Sequence, residues 1–182
     1  MSNNLAENLF IVTAPSGAGK TTLIKNVIDY AKTNDKKVFM SISHTTRAPR
    51  SSELDGTDYL FIDEEEFNSN INDQVYLEHA LVHGNLYGTP KKPIEQHLQS
   101  GHKVLLEIDW QGAMEILKIY PEAQSIFISP PSIDELHKRL HDRGLDSAEV
   151  IAERIHGAKL EMDKSKEFKY QIINNSLETA FK

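Results

Sequence analysis

The stretch from Leu9 to Lys32 constrains this chain more than any other. Leu9-Phe10-Ile11-Val12-Thr13 is a short apolar run that stops at turn residues, the pattern of a buried strand. Ala14-Pro15-Ser16-Gly17-Ala18-Gly19-Lys20-Thr21 follows at once. Leu23, Ile24, Val27, Ile28 and Ala31 then take helical spacing, from Thr21 to about Lys32. A strand, a glycine-rich loop and a helix in that order match the Walker A pattern, with Ala14 in place of the first glycine. That position chiefly requires a small residue. Gly17 and Gly19 permit the tight turn that aims backbone N–H groups at phosphate oxygens, and the helix N-terminus adds its positive end. Lys20 would reach the β- and γ-phosphates of a nucleoside triphosphate, and the Thr21 hydroxyl would ligate Mg²⁺.

The rest of the chain alternates in the same way. Val38 to Ile42, Lys103 to Ile108 and Gln124 to Ser129 read as strands, and helical spacing follows the last two at about 111–118 and 133–142. Ser147 is a predicted N-cap for a helix within 143–162, and Tyr170 to Ile173 is a last strand. The chain stops at Lys182 in the opening of a further helix. Strands alternating with helices predict a parallel sheet covered on both faces. Residues 43–90 break the rhythm, with short β-like pieces at Tyr59 to Ile62 and Tyr76 to Val82. That stretch also holds a turn at His83-Gly84-Asn85 and a short helix capped by Asp63. The predicted fold is therefore α/β. Residues 1–42 and 91–182 form a phosphate-loop core with helices on both faces and a helical lid at about 139–157. Residues 43–90 form a small, mixed, β-rich inserted lobe.

Composition narrows the function classes. With 182 residues, 39% of them hydrophobic, the chain can bury a sizeable core without staples. Cysteine is absent, which excludes disulfide scaffolds, zinc-thiolate sites and cysteine nucleophiles. No apolar run approaches the roughly 18 residues of a membrane span. Met1-Ser2-Asn3-Asn4-Leu5-Ala6-Glu7 lacks the basic and apolar regions of a signal peptide, so a cytoplasmic protein is expected, with no membrane partner. A net charge of −7 disfavours binding to nucleic acid, which needs a basic face. Such a chain must gather its cations locally.

It gathers them just after the second strand. In Ser41-Ile42-Ser43-His44-Thr45-Thr46-Arg47-Ala48-Pro49-Arg50, two arginines flanked by hydroxyls suit a second phosphate, because guanidinium forks bind phosphate oxygens bidentately. Glu53, Tyr59, Glu78, Tyr87 and Thr89 follow, supplying phenols, a hydroxyl and carboxylates. Guanine presents N1–H and N2–H₂ on one edge, and one carboxylate can accept from both; adenine presents an acceptor at N1. Glu78 fits that task, yet the residues alone do not separate it from an outward-facing acid on a half-exposed strand.

The phosphate loop, the stretch Ser41 to Tyr59, the stretch Leu77 to Thr89, and Leu106-Glu107-Ile108-Asp109-Trp110-Gln111-Gly112 together closely resemble guanylate kinase of the bacterial type. The resemblance covers nearly the whole chain in matching order and weakens only at the end. It implies that Ala14, Pro15, Ser16, Gly17, Ala18, Gly19, Lys20, Thr21 and Thr22 hold ATP, with Mg²⁺ on Thr21. It implies that Ser43, Glu78, Thr89 and Asp109 contact the guanine nucleoside, and that Arg47, Arg50, Tyr59 and Tyr87 hold the GMP phosphate. Glu53 then orients one of the arginines. Leu86 stands where the family often has an aromatic. The resemblance also makes Arg139, Arg143 and Arg154 lid residues that act with Lys20 and Arg47 in catalysis, and brings Asn174 toward adenine. The activity implied is ATP + GMP ⇌ ADP + GDP, and a homodimer is compatible with it.

Several readings compete. Asp109-Trp110-Gln111-Gly112 also looks like the D-x-x-G of regulatory GTPases, but no N-K-x-D base-reading box exists, and Asn174-Asn175-Ser176-Leu177 does not supply one. A guanylate-kinase-like interaction module without chemistry is opposed by the intact Gly17-Ala18-Gly19-Lys20-Thr21. Glu107 and Asp109 are expected on one face at a strand's C-terminal end, where open α/β sheets place their ligands. Arg139 and Arg143 are expected on one helical face, which could equally be a solvated face with Glu135 pairing Arg139. His137 and His141 have zinc-compatible spacing but no third ligand, and read as solvated or packing histidines.

Overall fold

The structure is a computed structural model and describes residues 5–82, 84–144 and 146–182. Met1 to Asn4 of the N-terminal stretch, His83 of the predicted turn, and Leu145 lie outside the described residues. In chain order the strands are β1 (Leu9–Thr13), β2 (Val38–Met40), β3 (His44–Thr45), β4 (Leu60–Phe61), β5 (Tyr76–Val82), β6 (Asn85–Pro90), β7 (Lys103–Glu107), β8 (Gln124–Ser129) and β9 (Tyr170–Ile173). The helices are α1 (Lys20–Thr33), α2 (Glu64–Asn72), α3 (Lys91–Gln99), α4 (Trp110–Ile119), α5 (Ile133–Asp142), α6 (Ala148–Asp163) and α7 (Leu177–Phe181).

Five strands form a parallel sheet in the order β2-β7-β1-β8-β9. Strand side chains alternate, so Leu9 and Ile11 of β1 join Val104 and Leu106 of β7 against Ile94 and Leu98 of α3 and Ala113 and Ile116 of α4. Phe10 and Val12 face the other way, toward Leu23 and Ile24 of α1. Both faces of the sheet are thus covered, and the C-terminal ends of β1 and β7 lie side by side, with Val12 opposite Glu107.

Residues 44–90 build a second, four-stranded sheet in the order β4-β3-β6-β5. Asp63 caps α2 by accepting from the Glu66 N–H at 2.8 Å, and Phe67 of that helix is fully buried, stacked on Tyr76. The helices α5 and α6, each capped by a serine (Ser132 and Ser147), bury Leu136, Leu140, Ile151 and Ala158 against one another. No helix among the described residues is long and apolar enough to cross a membrane.

Local reading and structure part company in a few places. The strand expected over Val38 to Ile42 ends at Met40: the Ser41 N–H still donates to Leu105, at 3.0 Å, and the chain then leaves for the second sheet. The helix α3 carries no side-chain cap, no acid in its first turn and a proline at its third position, so its usual start signals are missing. The strand β6 holds Gly88 and Pro90 and shows no alternation; its conformation comes from pairing with β5 and β3. The strand β7 ends at Glu107, so alternation does not carry on to Asp109, which instead caps α4. Arg143 is the C-cap of α5 and lies beyond the helix that carries Arg139.

Candidate active site

The loop between β1 and α1 is shaped by backbone. Gly17 has φ +88° and Gly19 has φ +89°, a left-handed conformation that side chains disfavour. The Ala18 N–H donates to Pro15 at 3.1 Å and closes the turn. Space matters as well as conformation, because a Cβ on Gly17 would stand 2.8 Å from a Leu140 methyl of α5. Lys20 follows at once. Its ammonium donates to the Ile108 carbonyl at 3.2 Å and lies 3.8 Å from Glu107 Oε1. The Thr21 hydroxyl donates to the same carboxylate oxygen at 2.6 Å. A lysine, a hydroxyl and a carboxylate therefore meet where β1 and β7 end. The neighbouring Thr22 is exposed.

The second sheet assembles the other anion-reading group from side chains. Arg47 donates to Glu53 at 2.8 Å, to the Tyr87 hydroxyl at 3.1 Å and to the Ala48 carbonyl at 2.7 Å. Its guanidinium also lies over the Tyr59 ring, at 5.6 Å. Burial alone would raise the Glu53 carboxyl, but the Arg47 fork and the Arg50 N–H outweigh it and hold the group below its ordinary value. Arg50 is looser: its side chain is half exposed and 3.6 Å from Glu53. Tyr59 and Tyr87 meet edge to face, and burial next to the Glu107 charge pushes the Tyr59 hydroxyl well above its ordinary value. That electrostatic reach, with a Lys25–Asp58 ion pair at 3.6 Å, faces the second sheet toward the loop.

Deeper in the same sheet, Glu78 of β5 sits directly opposite Thr89 of β6, and its Oε1 accepts from the Thr89 hydroxyl. The Ser43 hydroxyl is 3.5 Å from that of Thr89, and all three residues are buried. Burial pushes the Glu78 carboxyl up, the Thr89 hydroxyl opposes it, and the nearby charges of Asp109 and Glu115 add to the rise, giving about 7. Asp109 is half-buried and accepts from the N–H groups of Gly112, at 3.0 Å, and Gln111, at 3.3 Å.

The helical pair reaches the loop from above. Arg154 of α6 pairs with Asp146 at 3.1 Å and donates to the Ser16 hydroxyl at 3.4 Å. Arg139 is tied down, donating to Glu135 at 3.0 Å and to the Asn174 carbonyl at 3.1 Å. Arg143 is exposed. The structure places Asn174, the residue expected at adenine, beneath the loop: it is buried, and its amide donates to the Ala18 carbonyl at 2.8 Å. That hydrogen bond occupies the amide with loop support. His137 and His141 are exposed, and among the described residues no group of three or more His, Cys, Asp or Glu is placed to hold a metal.

Three contributors were not picked out as site residues from the sequence. Glu107 reads in the sequence only as an acid at a strand end, and it receives both Thr21 and Lys20. Asp146 holds Arg154. Glu161 of α6 is partly buried; burial raises its carboxyl to about 7, lowered in part by Lys20 and raised by Asp109. Nothing in the local sequence of α6 shows that this acid turns toward Lys20 and Asp109.

A glycine loop with lysine and threonine at the sheet's carboxyl edge, together with an arginine–tyrosine cluster on an inserted sheet, is the arrangement of a kinase that handles nucleotide phosphates. The model of the family described as guanylate kinase matches residues 6–182. A guanylate kinase of Dechloromonas aromatica is 49% identical over 97% of this chain and 85% of its own length. A guanylate kinase of Bordetella pertussis is 49% identical over 95% of this chain and 79% of its own length. A crystal structure of guanylate kinase from Anaplasma phagocytophilum superposes with a TM-score of 0.74 at 34% identity, covering 94% of this chain and 79% of that one. The chain belongs to the guanylate kinase family.

Proposed function

We propose that this chain transfers the γ-phosphoryl group of ATP to GMP, giving ADP and GDP, in purine nucleotide metabolism. The observation that carries the base assignment is the buried Glu78 carboxylate, aligned with Thr89 and Ser43 on the lobe that faces the glycine loop. In this reading Ala14 to Thr22 hold the ATP phosphates through backbone N–H groups and the α1 N-terminus. Arg47, Arg50, Tyr59 and Tyr87 hold the GMP phosphate, with Glu53 fixing the Arg47 fork. Glu78 accepts from guanine N1–H and N2–H₂, and Ser43, Thr89 and Asp109 complete the nucleoside contacts.

Catalysis then needs no side-chain nucleophile. The two nucleotides are aligned so that a GMP phosphate oxygen lies in line with the γ-phosphorus, and cations neutralise the charge spread over the transferred group. Lys20 supplies one such charge from the loop, Arg47 one from the lobe, and Arg139, Arg143 and Arg154 the lid's share. Arg154 already touches the loop through Ser16. Closure of lobe and lid excludes water, so that ATP is not simply hydrolysed. Mg²⁺ suits the oxygen donors gathered here, with Thr21 as its ligand and Glu107 beside it. Held there, the ion would supply positive charge to the ATP phosphates. In this reading Asn174, beyond its hydrogen bond to the Ala18 carbonyl, approaches the adenine of ATP. We assign the protein to the cytoplasm, a setting that the cysteine-free sequence suits.

Glu78→Gln tests the reading. It keeps the shape of the side chain but turns one acceptor into a donor, so kcat/KM for GMP is expected to fall at least roughly 10-fold. KM for ATP stays nearly unchanged and the GMP:AMP preference narrows. A folded variant that keeps the full GMP:AMP ratio, by steady-state kinetics at saturating ATP, would show that guanine is read elsewhere.

A further inference from the structure

Gly112 is a glycine that the backbone does not need. It lies in the first turn of α4, among helical residues, and is absent from the glycines with positive φ. Glycine is one of the poorest helix residues, so a helix of this kind would gain from alanine. The surroundings explain its presence. A Cβ built on Gly112 would stand 2.5 Å from Glu78 Oε2, 2.8 Å from Glu78 Cδ and 3.2 Å from Asp109 Oδ1. Gly157, a helical glycine of α6, has nothing within 4 Å of the same position. Of these two helical glycines only Gly112 is crowded, and the crowding falls on two carboxylates from different elements.

Glu78 has little freedom to give way. It is 7% exposed, its Oε1 is held by the Thr89 hydroxyl on the adjacent strand, and its Oε2 lies over Gly112. To restore ordinary contact with an added methyl group, the carboxylate would have to retreat by about an ångström. It would then leave either Thr89 or the position from which it reads a base.

We propose that Gly112 is a specificity-positioning residue, whose missing side chain lets the Glu78 carboxylate lie against the first turn of α4 in the register that guanine requires. The inference rests on the reading of Glu78 as the guanine acceptor and adds a determinant that makes no contact with substrate itself. Displacements of this size commonly cost one to two orders of magnitude where geometry is tightly held.

Gly112→Ala is expected to raise KM for GMP by at least roughly 10-fold and to narrow the GMP:AMP ratio, with KM for ATP unchanged. Its melting temperature is expected to fall, because displacing the buried Glu78 carboxylate outweighs the helix preference of alanine. Gly157→Ala makes the same helix change in open space and keeps the wild-type GMP:AMP ratio. Glu78→Asp shortens the acid, so Gly112→Ala combined with Glu78→Asp loses less than the product of the two single losses. If Gly112→Ala does not fold, the double variant carries the test, because the shorter acid clears the methyl; its failure to fold overturns the proposal. Full retention of GMP KM and base preference in Gly112→Ala overturns it too, provided Glu78→Gln loses them. If Glu78→Gln keeps its base preference, the underlying reading of Glu78 fails, and the two failures are distinguishable. An equal rise of both KM values in Gly112→Ala would show a general disturbance of α4 and also overturn the proposal.

Discussion

The two nucleotide-facing regions are built on opposite principles. The glycine loop is contiguous in sequence and made of backbone: two left-handed glycines, a helix start, and one lysine and one threonine reaching a shared carboxylate. The inserted lobe is discontinuous and made of side chains, with Arg47 gripping Glu53 and Tyr87, and Glu78 meeting Thr89 across two strands. A backbone cradle reads only phosphate, which every nucleotide carries. Side-chain donors and acceptors can tell one base from another, because a wrong base leaves buried polar groups unpaired. General affinity for triphosphate and selectivity for one monophosphate are thus separable, and single substitutions should separate them.

The largest effect is expected at Lys20. Lys20→Ala removes a fixed positive charge from where charge spreads in the transition state, an interaction commonly worth about 100-fold or more in kcat. GMP binding, measured by calorimetry, is expected to stay largely intact, because the lysine belongs to the β1–α1 side of the cleft. A variant that retains more than about a tenth of wild-type turnover would remove the loop from the chemistry. Equal damage to GMP affinity would erase the division between the two regions.

Arg47 makes the converse test. Arg47→Ala is expected to weaken GMP binding by roughly 10- to 150-fold while leaving guanosine almost unaffected, from about 1.5–3 kcal/mol per charge-assisted hydrogen bond. It also strands Glu53, whose carboxylate is held below its ordinary value by that fork, so some loss of melting temperature accompanies it. Arg50→Ala should show a smaller version of both effects, because its side chain is half exposed and further from Glu53. Equal losses for GMP and guanosine would make these arginines scaffolding.

The same contrast governs what was legible in the sequence. A contiguous loop can be read from its own residues, and the strand before it and helix after it need only local periodicity. Glu78 could not be placed that way. An acid on a strand looks alike whether it points out or in, and only the register of β5 against β6 sets it opposite Thr89. Register in turn depends on β6, a strand without alternation that owes its conformation to its neighbours. The resemblance to guanylate kinases groups Ser43, Glu78 and Thr89 because it carries three-dimensional information that spacing lacks, and the three side chains do meet. It was least informative at the end of the chain, where Asn174 turns out to brace the Ala18 carbonyl and Arg139 to hold the Asn174 carbonyl. Neither contact leaves a trace in local sequence, since each joins residues from distant elements.

The smallest expected effect uses pH to tell the regions apart. The Glu78 carboxyl, ordinarily near 4.5, is raised to about 7 by burial, with Asp109 and Glu115 adding to the rise and Thr89 opposing it. Below that value the free enzyme carries a proton on Glu78, and the neutral acid no longer offers two charged acceptors to guanine. KM for GMP should therefore climb as pH falls, by somewhat less than about 10-fold between pH 8 and pH 6. The phosphate of GMP also titrates near pH 6, so Glu78→Gln is the necessary reference: it lacks the group and keeps the substrate. The difference between the two profiles belongs to Glu78. Stability moves the other way. A group that binds its proton more tightly when folded adds stability as pH falls from about 7 toward 4.5, at up to about 1.4 kcal/mol per pH unit, and adds none above 7. Glu161 is also raised to about 7 and contributes with the same sign, but it faces Lys20, so its protonation should register on the ATP side. Melting curves and GMP titrations of the substrate-free enzyme, taken over the same pH range, should thus slope in opposite directions. In Glu78→Gln the binding slope should flatten to that of the substrate phosphate, while part of the stability slope survives through Glu161. Parallel GMP profiles for both proteins would mean that Glu78 stays charged in the free enzyme and that guanine binding moves no proton there.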